Sequence, residues 1–334
     1  MNKTKIVMTR SLLAADQQYI KKGLDGLVGA SYEMVEPDTY DEEGICKICA
    51  DADVLLGPFI TERILDTAKN LKLIQVPWTG MDTFNFNAMK GINIPVCNTH
   101  SNAVPVAELG IALVLDLLKK VSYHDRKMRM GDWNREQYPL NLQSRLVSKQ
   151  RICMLGCGNI GYRIAKLLYA FGATIVAVDD YREKDSILEK VYRNNEIAMA
   201  LRKTDIAICT LPLTDITEKI INQDILMSAK NGMLLVNMSR AEVMDEDAVF
   251  QALQSQRLGG FAADVWWNSP KRGESESYPS THNEFWKMDN VILSPHRAGF
   301  VEDCLPHLDE AILNIANLIQ GKGLINIVDI TRHY

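Results

Sequence analysis

The chain has 334 residues, 47% of them apolar and 24% charged, with a formal net charge of −5. That is enough chain for two buried cores, and the mild acidity gives no general electrostatic reason to bind nucleic acid or an anionic membrane surface. The N-terminal apolar stretch is short and broken by Thr9 and Arg10, so it does not read as a secretory leader, and no apolar run reaches the roughly 18 residues that span a bilayer; a cytoplasmic protein is expected.

In chain order, KIVMTR reads as a strand, SLLAADQQYIKKGLDGL as a helix and ASYEMVEP as a second strand. YDEEGICKICADADVLLG reads as a short helix running into a strand. Its Cys46 and Cys49 form a CxxC, but no second cysteine pair follows to close a tetrahedral site, so buried packing is expected there and no metal. The seven cysteines, scattered through core-like segments, are expected as free thiols. TERILDTAKN reads as a helix capped by Thr61, and LKLIQVPW and GINIPVCNT as buried strands. Strands alternating with helices predict a parallel sheet covered on both faces. Residues 104–133 predict one long helix, too apolar for a surface helix and therefore central or at a subunit interface. NREQYPLNLQSRLVSKQ reads as a linker. The alternation then restarts through RICMLG, TIVAVD, DIAICTLP, GMLLVNMS, LGGFAADV and NVILSP. Residues 271–284 are polar and predict an exposed loop, and a last amphipathic helix should begin near Pro306, a residue suited to a first helical turn.

RICMLGCGNIGYRIAKLLYAFG places G-x-G-x-x-G at Gly156, Gly158 and Gly161, after an apolar run and at the head of a helix. Gly156 permits the tight turn, Gly158 lets backbone approach a pyrophosphate, and Gly161 lets the helix pack closely on the strand. Asn159 and Ile160 open that helix, whose free N–H groups favour an anion. Asp179 ends the next strand, where a carboxylate can accept bonds from ribose hydroxyls and repel the extra phosphate of NADP. Asp180 adds to that repulsion and Arg182 opposes it; NAD is the expected cofactor.

The later segments CTLPLTDITEKIINQDILMSAKNGMLLVNMSRAEV, LGGFAADVWWNSP and NVILSPHRAGF, with LKLIQVPWTGMD and IPVCNTHSNAVPVAELGIAL upstream, make the chain resemble the D-isomer-specific 2-hydroxyacid dehydrogenases along nearly its whole length. The resemblance implies an α/β fold of two doubly wound parallel-sheet domains. A Rossmann NAD-binding domain, 104–299, would be inserted into a flavodoxin-like substrate domain, 1–103 and 300–334. It also implies a homodimer built on the helix near 104–133. The activity implied is reduction of a small 2-oxo acid. Arg240, just past an apolar strand, has the planar fork of donors that suits a carboxylate, and the family uses the arginine here to hold the substrate's carboxylate and carbonyl. His296 matches the family's general acid/base, since an imidazolium near pH 7 can protonate a developing alkoxide. Trp78, Thr79 and Gly80 occupy the substrate-carboxylate loop, with the Thr79 and Gly80 amides as anion donors. Thr210 and Pro212 would border the adenosine, and Met238 and Ser239 the nicotinamide. Asp264 would anchor the carboxamide, with Ala298 and Gly299 nearby. His100 is a minor candidate for substrate contact.

The pattern breaks at two places. The family's glutamate before the proline that matches Pro270 is replaced by Ser269, and Ala241 stands where a glycine usually follows the arginine. A buried carboxylate raises a histidine's pKa and fixes its tautomer, whereas a hydroxyl brings no charge. Three readings follow. Glu274, Glu276, Glu284 or Asp264 substitutes for the missing acid; or His296 works with a lower pKa and turnover falls above about pH 6–7; or the chain binds the cofactor without catalysing, as the family's co-repressor relatives do. Arg297, beside the histidine, is a candidate for a second acidic group on the substrate. Oxidation of formate or phosphite is a further option that no residue singles out.

Overall fold

A computed structural model describes residues 3–133, 143–270, 274, 276–302 and 304–333. Most of the segment read as a linker, 134–142, lies outside the described residues, as do 271–273 and 275 of the polar loop. The chain divides into two compact units: a split unit, Met1–Asn102 with Gly299–Tyr334, and a central unit, Ala103–Ala298.

The split unit alternates β1 (Thr4–Met8), α1 (Ala14–Val28), β2 (Tyr32–Val35), α2 (Glu42–Cys46), β3 (Val54–Leu56), α3 (Glu62–Thr67), β4 (Leu73–Gln75) and β5 (Val96–Cys97). The strands form one parallel sheet in the order β2-β1-β3-β4-β5. Ile6–Met8 of β1 and all of β3 and β4 are buried because both faces of the sheet are covered. α3 starts where the Thr61 hydroxyl accepts the Ile64 N–H at 3.2 Å, the cap the sequence predicts. Cys46 and Cys49 pack between α2 and α3, and burial pushes the Cys49 thiol up to about 11, against thiolate chemistry. Among the described residues no cluster of histidine, cysteine and carboxylate ligands could hold a metal ion.

The central unit holds α4 (Ala103–Lys119), α5 (Val121–Arg129), β6 (Arg151–Leu155), α6 (Asn159–Ala170), β7 (Thr174–Val178), β8 (Leu188–Tyr192), α7 (Ile197–Leu201), β9 (Ile206–Cys209), α8 (Gln223–Ser228), β10 (Met233–Asn237), α9 (Glu246–Gln254), β11 (Leu258–Ala263) and β12 (Val291–Leu293). Its seven described strands run parallel in the order β12-β11-β10-β9-β6-β7-β8. The chain then returns to the split unit through α10 (Pro306–Ile319), which opens on Pro306 as expected. Among the described residues no helix is long and apolar enough to cross a membrane.

Three expectations need correction. Residues 104–133 are two helices, because Lys120 takes a left-handed conformation (φ 57°) and its N–H closes on the Asp116 carbonyl. The Asp116 carboxylate then accepts the Ser122 N–H at 2.8 Å and starts α5 afresh. The apolar face of α4 is used within the unit: Leu113, Val114, Leu117 and Leu118 are buried, and Gly110 lets the helix approach α6, where an added Cβ would sit 2.9 Å from Ile164 Cδ1. β8 is a strand that hydrophobic pattern missed; it is an edge strand with two exposed charged residues, Glu189 and Lys190. The polar loop is exposed only in part. Ser280 and Asn283 are buried, and Asn283 Nδ2 and His282 Nε2 lie 2.9 and 3.1 Å from Asp247 at the head of α9.

Candidate active site

In parallel α/β sheets ligands gather beyond the carboxyl ends of the strands, and the predicted residues of the central unit lie on that edge. After β6, Gly156 turns with φ +84°, and its N–H and carbonyl are bound by the Val178 carbonyl (2.9 Å) and the Thr210 hydroxyl (2.8 Å). Thr210 therefore latches the glycine turn. An added Cβ at Gly161 would lie 2.4 Å from the Gly156 carbonyl oxygen and 2.5 Å from Thr210 Oγ1, so only glycine lets α6 pack here. At Gly158 nothing lies within 4 Å of an added Cβ, and no side chain caps α6. The Asn159, Ile160 and Gly161 amides thus remain available to an anion, which these residues fit. Gly161→Ala is expected to cost about 1–3 kcal/mol of stability and to weaken dinucleotide binding about tenfold or more, measured by thermal melting and NADH fluorescence; unchanged affinity would exclude this turn from the binding site.

A cavity of about 360 Å³ opens beside the cradle, lined by Gly158, Asn159, Tyr162, Arg163, Lys166 and Arg182. Arg182 stacks on Tyr162 at 3.6 Å, and its Nη2 pairs with Asp185 at 3.2 Å. The Tyr162 hydroxyl donates to Asp185 and, with the Ile187 and Leu188 amides, lowers that carboxyl to about 2. Asp179, expected as a ribose acceptor, takes the amides of Cys157 (2.8 Å), Tyr181 (2.9 Å) and Arg182 (2.8 Å), tying the glycine turn to the end of β7. Asp180 turns to Asn194, bonding its N–H at 2.9 Å.

Arg240 and His296 sit on two turns joined by one relay. Asn237, fully buried at the end of β10, donates from Nδ2 to the Arg240 carbonyl at 3.0 Å and accepts the Ser239 N–H at 3.0 Å. Arg240 Nη1 folds back to the Ser239 carbonyl at 3.0 Å. The Asn237 carbonyl accepts the Asp264 N–H at 3.2 Å. The Asp264 side chain, 2% exposed, then accepts the Arg297 and Ala298 amides at 3.0 and 2.9 Å and the Ser294 hydroxyl. Trp266 Nε1 donates to the Ser294 carbonyl at 2.9 Å. These bonds fix a turn in which His296 is exposed and left-handed (φ +52°). Strain of this kind in a non-glycine residue persists only where the surroundings enforce it. The carboxylate expected to anchor a carboxamide is thus bound to the histidine turn. Asn237 and Ser294 are absent from the residues predicted; the polar switch at the end of an apolar run was the signal that marked them.

The remaining predicted residues divide. Met238 points into the core, packing near Gly110, so only its backbone borders the edge. Ser239 is buried beside Cys209, and the Pro212 carbonyl accepts the Thr217 hydroxyl. Ser269 is exposed, and its side chain makes no hydrogen bond among the described residues. Glu276 is exposed, as is Glu274, and Glu284 pairs with Lys287 at 2.6 Å. In the split unit, Trp78, Thr79 and Gly80 follow β4, held by Asn98 Nδ2 on the Thr79 carbonyl (2.9 Å) and the Thr79 hydroxyl on Asn102 (2.8 Å). The Thr79 and Gly80 amides have no acceptor among the described residues, as an anion grip requires. Gly299 begins the returning segment. His100 and His307 are held below the usual histidine range by burial, which favours their neutral forms. His333 stacks on Phe86.

Residues 111–298 match the family model described as "D-isomer specific 2-hydroxyacid dehydrogenase, NAD binding domain". The chain is 29% identical to glyoxylate reductase from Thermofilum pendens over 333 residues, 96% of this chain and 93% of that one. It is 27% identical to hydroxypyruvate reductase from Thermotoga maritima over 267 residues, 78% of this chain and 83% of that one. It is 26% identical to D-3-phosphoglycerate dehydrogenase from Archaeoglobus fulgidus over 274 residues, 81% of this chain, and spans only 50% of that relative's length. Among solved structures it is similar to a D-isomer specific 2-hydroxyacid dehydrogenase from Xanthobacter autotrophicus Py2 in complex with NADPH and MES (TM-score 0.80, 21% identity, all of both chains). It is also similar to the NAD-complexed enzyme from Lactobacillus delbrueckii ssp. bulgaricus (TM-score 0.76, 23% identity, 98% of this chain and all of that one).

Proposed function

We propose, from a chain that belongs to the D-isomer-specific 2-hydroxyacid dehydrogenase family, an NAD-dependent oxidoreductase that interconverts a small 2-oxo acid and its D-2-hydroxy acid. The observation that carries the reading is the relay from Arg240 through Asn237 and Asp264 to the His296 turn, on the same sheet edge as the glycine cradle. The Asn159–Gly161 amides hold the pyrophosphate of the dinucleotide, which when bound supplies or accepts the hydride. Arg240 binds the substrate carboxylate and the carbonyl oxygen, and its charge stabilises the alkoxide as it develops. His296, entering as imidazolium, gives its proton to that oxygen and leaves neutral; in the oxidative direction it takes the hydroxyl proton. In the split unit, the Thr79 and Gly80 amides are proposed as donors to an acid group.

The names of the relatives put glyoxylate and hydroxypyruvate first among substrates to test. NADH oxidation followed by absorbance across a panel of 2-oxo acids is expected to show turnover on at least one. A second reading, a dinucleotide-binding protein without turnover, is favoured by the exposed Ser269, which brings no charge to the histidine. Tight NADH binding with no oxidation on any acid decides for it. The proposed assembly is a homodimer using the segment that includes α4 and α5, where Val121, Met128, Met130 and Trp133 are exposed; sedimentation at twice the chain mass is the expected result.

A further inference from the structure

The split unit contains three arginines. Arg63 pairs with Glu42 at 3.4 Å and Arg332 with Asp329 at 3.0 Å. Arg10 differs: among the described residues it makes no ion pair, and its guanidinium lies over the Trp78 ring, 5.0 Å from the centroid. Its place in the fold gives this weight. β1, β3 and β4 are adjacent and parallel, so the segments leaving them, Thr9–Arg10, Gly57–Pro58 and Val76–Trp78, share the carboxyl edge of the sheet. Gly57 takes φ +134°, and an added Cβ there would sit 2.6 Å from Thr9 Oγ1 and 3.1 Å from the Arg10 nitrogen; the glycine is what lets these strand ends meet. Thr9, 1% exposed, keeps a hydroxyl with no hydrogen-bond partner directly before Arg10. A buried polar atom left unpaired is uncommon and destabilising, which sets this strand end apart.

A guanidinium 5.0 Å from an indole centroid gains a cation–π attraction, and with no carboxylate paired to it among the described residues its N–H donors can serve an oxyanion. Two residues of the carboxylate loop, Thr79 and Gly80, follow Trp78 directly, and their amides already suffice for one acid group. We propose that Arg10 is a specificity residue that reads a second anionic group, a carboxylate, phosphate or phosphonate at the far end of the 2-oxo acid, so that the preferred substrates are dianions. This deepens the dehydrogenase reading and rests on it.

The test is a kinetic panel with NADH. Pyruvate, glyoxylate and 2-oxobutyrate serve as monoanions; oxaloacetate, 2-oxoglutarate, phosphonopyruvate and phosphohydroxypyruvate carry the second acid. The wild-type chain is expected to show at least tenfold higher kcat/KM on its best dianion. Arg10→Gln should lower that value by roughly 10–100-fold, mainly through KM, as loss of a charge-assisted bond does, and leave monoanions within about threefold. Arg10→Lys should retain part of the preference. A melting temperature matching wild type shows that the exposed substitution has not unfolded the chain. Turnover with no dianion preference overturns the inference alone, as does equal loss on both classes or a loss that follows Arg297→Gln instead. No turnover on any acid, with NADH still bound, overturns the dehydrogenase reading and the inference with it.

Discussion

Replacing His296 with asparagine is expected to lower kcat for 2-oxo acid reduction by about 10²–10⁴-fold, the range for loss of a general acid. NADH affinity should stay within about twofold, because the cradle and Asp179 lie on other turns of the same edge. Asparagine is the informative choice. His296 sits at φ +52°, and asparagine tolerates the left-handed region better than alanine does. The Asp264 bonds to the Arg297 and Ala298 amides therefore survive, and what is removed is the titrating ring. Stopped-flow mixing with the best acid of the panel measures the loss; a variant retaining more than a tenth of wild-type kcat would assign the proton to another group.

Arg240→Lys should lower kcat/KM by about 10²-fold, since a charge-assisted hydrogen bond contributes about 1.5–3 kcal/mol and lysine keeps the charge but not the fork. Asn237 holds the Arg240 backbone, not its side chain, so the turn itself should persist. Arg240→Ala should cost a further tenfold or more, and free guanidinium added to that variant should recover part of the rate. Unchanged kcat/KM in the lysine variant would place the substrate's acid group elsewhere.

How far the sequence alone reached follows from the kind of information each feature needs. Strands buried on both faces, such as MLLVN in β10, announce themselves as unbroken apolar runs. β8 did not, because an edge strand covers little on its outer side and its exposed Glu189 and Lys190 resemble a loop. Gly156 and Gly161 were legible from spacing, because strand–turn–helix geometry leaves no room for a side chain there. The break at Lys120 was not, since nothing in VLDLLKKVSYHD marks a left-handed lysine; it depends on Asp116 capping the next helix. Arg240, His296 and Asp264 were named as single residues, but Asn237, and the way Asn237 and Asp264 join the two turns, required β10, β11 and β12 to be laid side by side. The acid expected from the loop beyond Pro270 shows the opposite limit. Sequence offered Glu274, Glu276 and Glu284, yet the nearby polar residues that are buried, Ser280 and Asn283, bond α9.

The split unit is completed by residues made only after the whole central unit has been synthesised. α10 shares its apolar cluster with α1, with Ile312 filling the space above Gly23, and Val328 donates its N–H to the Val96 carbonyl at 2.8 Å. The central unit is contiguous and holds its whole sheet between Ala103 and Ala298. During synthesis the nucleotide-binding half therefore has everything it needs while the first hundred residues still wait with an open apolar face. A chain truncated after Ala298 and released from the ribosome should protect the central unit from protease and leave the N-terminal segment open to it.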